Sequence, residues 1–369
     1  MGPTRRTDLL LLLVTLVLVA LGLVMLYSTS AVLAQDRYND SLYFLKRQMA
    51  WAGLGLLAMW GMRCLPYRAQ RRLLLPAVLG TFIVLALVLL PLFGKEVGGA
   101  QRWFRLGPLT IQPSEVAKYV LVLYVARTVG QNQERLTSFA YVFLPCALMT
   151  ALFSLLVFAQ PDLGTAVILA ATVGLQLLMA GIPWRYLGYT ALTGLPVLYW
   201  GLVHVRFRLG RLLVFLNPAS DPQGSGYQAI QASLALGQGG FLGIGLGQSH
   251  QKLFYLPEAH TDFIFAVIGE ELGFLGTVGL VCLFLLLLWR ILRIAVACGE
   301  PFGTSLGLGV FGLLSVQIVI NLSVVLGLLP TKGSPLPLIS LGGSNLLVSL
   351  MAIGTMLNMA ESQNGFAWK

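Results

Sequence analysis

Charge is what this chain has least of. Asp, Glu, Lys and Arg make up 10% of its 369 residues, against 57% hydrophobic types and a mean hydropathy of +0.82. That balance excludes a water-soluble globular domain. Cysteine and histidine chemistry is equally thin. The four cysteines, Cys64, Cys146, Cys282 and Cys298, form no CxxC pair and no metal-ligand spacing, so neither a disulfide framework nor a zinc site is implied. Strand alternation is missing too. The apolar segments are continuous runs of about 20 residues, not alternating tens, which excludes a transmembrane β-barrel. The glycine-rich GQGGFLGIGLGQS, residues 237–249, has no strand before it and no GKS or GKT after it, so it is no nucleotide loop. Its expected use is flexible packing of a loop on the membrane surface. No organic cofactor and no nucleic-acid partner is expected.

What is present is a series of apolar runs. They give about ten spans: Leu9–Ser30, Phe44–Met62, Leu73–Phe93, Ser114–Ala126 (short, and expected to run on), Phe139–Ala159, Leu163–Ala180, Tyr186–Val203, Phe263–Trp289, Thr304–Leu328 and Gly343–Met359. The expected fold class is an all-α polytopic membrane protein with a single transmembrane domain over residues 1–369. Arg5-Arg6 before the apolar Leu9–Leu26 resembles a secretory signal, but the apolar core is too long and further spans follow. It reads as an uncleaved first helix with its N-terminus in the cytoplasm, and an even span count brings both termini there.

With that orientation the cytoplasmic connections carry Arg63, Arg68, Arg71, Arg72, Arg127, Arg135, Arg185, Arg290 and Arg293, as the positive-inside rule expects. The outer side is also basic, through Arg37, Lys46, Arg47, Lys95, Arg102, Arg105, Arg206, Arg208, Arg211, Lys252 and Lys332. Those cations are either headgroup anchors or contacts for an anionic ligand. The largest extracytoplasmic loop, about 204–262, joins the seventh and eighth spans. Arg206–Leu216 within it fits an interfacial helix, and NPASDPQGSGYQ, residues 217–228, is turn chemistry.

The chain is organised around KLFYLPEAHTDFIFAVIGEELGFLG, residues 252–276. Asp262 stands where mixed loop sequence gives way to an apolar run, and Ala266, Gly269, Gly273 and Gly276 follow it at spacings of three and four. One helical stripe would then carry an acid above small residues, which suits close helix packing. An ionisable group at such a seam is a functional candidate. Glu115 after Gln112-Pro113-Ser114 and Asp162 after Gln160-Pro161 open two other descending spans. Each is either a helix-start acid or a member of one outer cluster with Asp262. Lys118 lies at i+3 from Glu115 and can pair with it, and Glu270 and Glu271 are expected to deepen the polar cavity. The connection Leu329–Ser344, LPTKGSPLPLISLGGS, holds three prolines and is expected to fold into the bundle, bringing Lys332 with it.

Together, QKLFYLPEAHTDFIFAVIGEELG, GAQRWFRLGPLTIQPSEVAK, AQPDLGTA and LPTKGSPLPLISLGGS resemble the SEDS family (shape, elongation, division, sporulation), in order and from first span to last. PEAHTD and Thr331-Lys332-Gly333 are similar to the FtsW branch more than to the RodA branch; sporulation-type members share the same motifs. Leu338, Leu341 and Asn345 depart from it, standing where that branch usually has Phe, Tyr and Ser. The resemblance implies a peptidoglycan glycosyltransferase that polymerises lipid II at the outer face of the cytoplasmic membrane. It further implies an essential aspartate at Asp262, an outer-loop pair at Arg102 and Trp103, and a cavity pair at Glu115 and Lys118. Asp162, Arg206, Arg211, His260, Thr261, Lys332, Ser340 and Ser344 are the remaining expected substrate contacts. Implied partners are a class B penicillin-binding transpeptidase, divisome regulators and membrane lipids, and a divalent cation, Mg or Mn, on Asp262 is the implied cofactor.

That chemistry needs cations for a leaving diphosphate and a base for the attacking sugar hydroxyl. An α-linked donor giving a β(1→4) product inverts, so one base suffices. Asp262 is the expected base, or else a metal ligand. The alternatives are a lipid II flippase, which calls for a polar site near midplane, and a non-catalytic scaffold for the transpeptidase.

Overall fold

The computed structural model describes residues 8–90, 94–97, 100–106, 109–203, 210, 214–215, 217, 224, 226–252 and 255–364. The apolar runs form helices that close most of their backbone hydrogen bonds within one segment, as lipid demands. The resulting helices are α1 (Leu9–Tyr38), α2 (Tyr43–Cys64), α3 (Tyr67–Leu87), α4 (Pro113–Gln131), α5 (Leu144–Ala159, entered through a π turn at Phe139–Phe143), α6 (Leu163–Met179), α7 (Trp184–Val203), α8 (Tyr227–Gly239), α9 (Ile264–Ala297), α10 (Pro301–Val325) and α11 (Gly343–Asn364). Among the described residues, six stretches are long and apolar enough to cross a membrane: α1, α3, Phe139–Ala159, α9, α10 and Gly343–Gln363. The molecule is a multi-pass helical membrane protein.

Helix ends follow local chemistry. The Asp8 carboxylate accepts from Leu11 N at 3.0 Å and from Arg290 Nε at 2.7 Å, capping α1 and tying it to the far end of α9. Pro113 and Pro301 occupy first-turn positions of α4 and α10, where a missing N–H costs nothing. The inner helices are α4, α10 and α11, with α2 against α11 and α4 against α10. Their contact holds Val122, Leu313, Leu314, Ile353 and Met356, all buried. Midway along it lies a neutral polar knot. The Tyr119 hydroxyl bonds Gln70 Oε1 at 2.9 Å and shares a 2.7 Å bond with Thr355 Oγ1.

Several expectations change. The connection before α4 is a three-stranded antiparallel sheet, β1 (Lys95–Val97), β2 (Ala100–Leu106) and β3 (Leu109–Ile111), in that order, with Phe104 opposite Ile111. The loop before α9 contains helix α8, which sequence pattern did not suggest. Asp262 lies in the turn before α9, whose N-cap is Phe263, so it is not on the helix itself. The small-residue stripe below it is interrupted, because Gly273 takes φ 67°, ψ −164° and kinks the helix.

That kink explains the glycine-rich segment. Backbone groups freed at a kink need partners, and residues 240–245 supply them: Ile244 N and Gly245 N donate to the carbonyls of Glu270 and Glu271 at 3.0 and 3.1 Å. In return Phe274 N and Leu275 N donate to Gly240 and Phe241 at 2.9 and 3.2 Å. The segment is knitted to α9 instead of lying loosely on a surface. The 329–342 connection does fold inward, non-helical, with Leu336, Leu338 and Ile339 buried.

Candidate functional site

Three helix starts, the sheet and the folded-in loop converge on a cavity of about 240 Å³ at one end of the bundle. Its walls include Arg102 and Trp103 from β2, Glu115 and Lys118 from α4, Asp162 from the start of α6, Thr261 and Asp262 from the turn before α9, and Ser344 from α11. The sequence-derived cluster is therefore one place in space.

Within it each charge has a partner. Glu115 and Lys118 are buried and meet at 2.8 Å one helical turn apart. Glu115 Oε2 also accepts from Asn345 Nδ2 at 2.9 Å, and the same amide nitrogen donates to Gln317 Oε1 at 2.6 Å. Asp162 does cap α6, accepting from Thr165 N at 3.0 Å and Thr165 Oγ1 at 2.8 Å. It also lines the cavity, 3.7 Å from Arg102 Nη1. Arg102 donates to the carbonyls of Gln160 and Pro161, so the guanidinium is fixed over the turn between α5 and α6 with one edge toward the cavity.

Asp262 is held through its backbone. Its N–H bonds the Glu258 carbonyl at 3.2 Å, and its own carbonyl accepts from Asn321 Nδ2 at 3.0 Å. Asn321 also donates to Ser334 O at 2.6 Å, so one α10 amide pins the Asp262 turn and the inward loop together. Glu258, which shapes that turn, sits at φ 55° and faces the cavity. The carboxylate of Asp262 lies against Gly333, where a Cβ would stand 2.9 Å from Oδ2, so a side chain there would push the carboxylate aside.

Lys332 reaches the cluster from the inward loop. Its stem lies across Gly164, where a Cβ would collide with Cε, and its ammonium donates to the Gly164 carbonyl. Although part of the residue is exposed, the amine is enclosed. Burial pushes its pKa down to about 7, against the pull of Asp162, with Lys118 lowering it and Glu115 and Asp262 raising it further from the cluster.

Of the other expected contacts, His260 and Ser340 do not line the cavity, while Ser344 lines it and is also engaged in packing. His260 packs tilted against Phe44 at 5.0 Å between ring centres, and burial holds its imidazole below the usual range, against Glu258 and with Arg37. Ser340 is spent inside the loop, accepting from Leu336 N at 2.9 Å. Ser344 accepts from Gln112 N at 2.9 Å, joining α11 to the start of α4. Glu270 and Glu271 do not deepen the cavity. Glu270 accepts from the Ser249 hydroxyl and His250 N, while Glu271 accepts from Ser28 at 2.7 Å and pairs with Lys252 at 3.4 Å, latching the pre-α9 loop to α1 and α9. Arg206 and Arg211 lie outside the described residues.

Among the described residues no three His, Cys, Asp or Glu side chains come together to hold a metal. The carboxylates of this cavity are interleaved with Arg102 and Lys118, and the Lys332 ammonium interacts electrostatically with three of them. That donor set does not fit a preformed divalent-cation centre.

A multi-pass helical bundle with a carboxylate–cation cavity at one end defines a membrane protein whose functional site is that cavity's cluster of enclosed ionisable groups. The FtsW/RodA/SpoVE family, described as cell cycle protein, matches residues 8–365, and the chain belongs to it. It is 43% identical over 362 residues to a probable peptidoglycan glycosyltransferase FtsW of Geobacter metallireducens, covering 98% of this chain and 96% of that protein. It is 40% identical to the stage V sporulation protein E of Bacillus subtilis, covering 97% and 98%. A solved structure described as structural coordination of polymerization and crosslinking by a peptidoglycan synthase complex superposes with a TM-score of 0.80 at 36% identity, covering 97% of this chain and 98% of that one.

Proposed function

We propose that the chain is a peptidoglycan glycosyltransferase of the FtsW type, polymerising lipid II during cell division at the outer face of the cytoplasmic membrane. In this reading ten helices span the bilayer, both termini are cytoplasmic, and α8 belongs to an extracytoplasmic loop between the seventh and eighth spans. The observation that carries it is the position of Asp262, in a cavity lined also by Arg102, Lys118 and Gly333, with the Lys332 ammonium close enough to feel Asp162, Glu115 and Asp262. The relatives' names support the reaction class.

The chemistry follows from the cavity. Asp262 takes the proton of the attacking sugar hydroxyl as it closes on the anomeric carbon. Arg102 and Lys332 offset the charge that builds on the departing diphosphate. Lys332 has a particular advantage, since a diphosphate beside it raises its proton affinity, and the charge appears where and when it is needed. The reaction inverts, with one base and no covalent glycosyl-enzyme. Lys118 serves Glu115 first, and the pair with Asn345 fixes the cavity floor. The partner is a class B penicillin-binding transpeptidase, a reading supported by the crosslinking complex that resembles this chain.

The test is polymerisation of lipid II by the purified protein, with and without that transpeptidase. Asp262→Asn should lower the rate by at least about 100-fold, within the range for losing a general base, at unchanged thermal stability. A fully active Asp262→Asn protein would overturn the assignment. Headgroup translocation in vesicles without polymer would favour a flippase instead.

A further inference from the structure

The end of the bundle away from the candidate active site carries a second cavity, about 530 Å³, among the first turns of α3 and α10 and the last turn of α4. Arg68, Arg71, Arg72 and Arg127 line it, facing a single carboxylate, Glu300. Glu300 is already engaged, accepting from the Tyr67 hydroxyl at 2.6 Å and from Arg68 Nε at 2.7 Å. Among the described residues Arg71, Arg72 and Arg127 make no hydrogen bond or ion pair with the protein. Three guanidiniums therefore converge on one concavity with their charge uncompensated. The α3 and α10 N-termini bordering it add positive potential. On α4, Glu115 and Arg127 are twelve residues apart, so the two cavities are separated by about 18 Å along that helix.

The apolar side of this cavity says what kind of anion fits. Leu75, which lines it, is exposed, and so are Leu79 and Ile83 at i+4 and i+8 on α3. They form one stripe running from the arginines along a helix that is long and apolar enough to span a membrane. A free phosphate would use the arginines and ignore that stripe. A phospholipid uses both.

We propose that this pocket is a specific site for an anionic phospholipid, with its phosphate among Arg71, Arg72 and Arg127 and an acyl chain along Leu75, Leu79 and Ile83. Planar guanidiniums match phosphate oxygens two at a time, which selects a phosphate-rich, negatively charged headgroup over a zwitterionic one. The site is independent of the polymerase reading, because it rests on residues at the other end of the molecule.

The experiment is native mass spectrometry of the intact purified protein titrated with phosphatidylglycerol, cardiolipin or phosphatidylcholine. Parallel thermal unfolding uses each lipid and inorganic phosphate. A saturable adduct with an anionic lipid is expected, with phosphatidylcholine at least about tenfold weaker and inorganic phosphate giving no comparable stabilisation. The triple variant Arg71→Gln, Arg72→Gln, Arg127→Gln should lose the adduct while unfolding at the wild-type temperature in phosphatidylcholine. The triple lysine variant at the same positions should recover part of it, which guards against a folding defect. Equal binding of phosphatidylcholine, non-saturating adducts, an unaffected glutamine variant, or saturation by inorganic phosphate alone would each overturn the proposal.

Discussion

Lys332 keeps an amine where burial opposes its charge, and this makes activity depend on pH in a signed way. Its pKa is down at about 7, so the free protein carries the ammonium below that pH and loses it above. If that ammonium receives the leaving diphosphate, kcat/KM should fall as pH rises through about 7, while kcat, measured with the diphosphate bound, should hold to higher pH. Lys332→Met should remove this limb and leave a low, flat rate; a limb unchanged in the variant would assign it to another group. Gly333→Ala probes the neighbouring carboxylate. A methyl 2.9 Å from Asp262 Oδ2 must displace it, and a small misplacement of a catalytic group costs up to about 100-fold in rate. The expected result is a lower kcat with an unchanged unfolding temperature. Asp262, Glu115, Lys118 and Asp162 were legible in the sequence because ionisable groups beside apolar runs stand out. Asn321 and Asn345 were not. An amide in a span gains meaning only from what it touches, and Asn321 is 59 residues from the Asp262 carbonyl it holds. Glu258 was passed over four residues before Asp262, because its role depends on a left-handed backbone that sequence pattern does not announce.

At the scale of elements, α9 shows how a membrane helix can be broken and still satisfy its backbone. The positive φ of Gly273 and the approach of Gly243 N, which a Cβ would strike, make this a glycine position twice over. Gly273→Ala should destabilise the protein by about 1–3 kcal/mol, the cost of a strained backbone. Thermal unfolding in detergent measures it, and an alanine variant as stable as wild type would mean the kink is not held by that contact. The runs that became helices were readable because lipid leaves a long apolar segment almost no alternative. The sheet was not readable, since three-residue strands such as Lys95–Val97 and Leu109–Ile111 are too short to display a period of two. Helix α8 escaped for a related reason. YQAIQASLALGQG mixes polar and apolar residues and ends in the glycines that marked it as loop.

Across the whole molecule, ionisable groups collect at two ends and the middle is held by neutral bonds such as Tyr119 with Gln70 and Thr355. The arginines predict which end faces the cytoplasm. Arg63, Arg68, Arg71, Arg72, Arg127, Arg290 and Arg293 share the end opposite Asp262, and three of the acids there are consumed, Glu361 by Arg63 at 2.6 Å, Glu300 by Arg68 and Asp8 by Arg290. An excess of basic residues in short connections sets orientation, so this end should be inside even though the outer loops are basic too. Two native cysteines make the test possible without redesign. Cys64 is exposed at the last turn of α2 and Cys298 sits at the end of α9, both at the arginine end. In intact cells a membrane-impermeant maleimide should leave both unmodified, and should modify Cys64 once membranes are inverted or permeabilised. A cysteine introduced as Ser41→Cys, in the connection between α1 and α2 at the opposite end, should react in intact cells. Labelling of Cys64 from outside would turn the molecule over and place the Asp262 cavity on the cytoplasmic face, where no glycan strand is built, and the polymerase reading would fall with it.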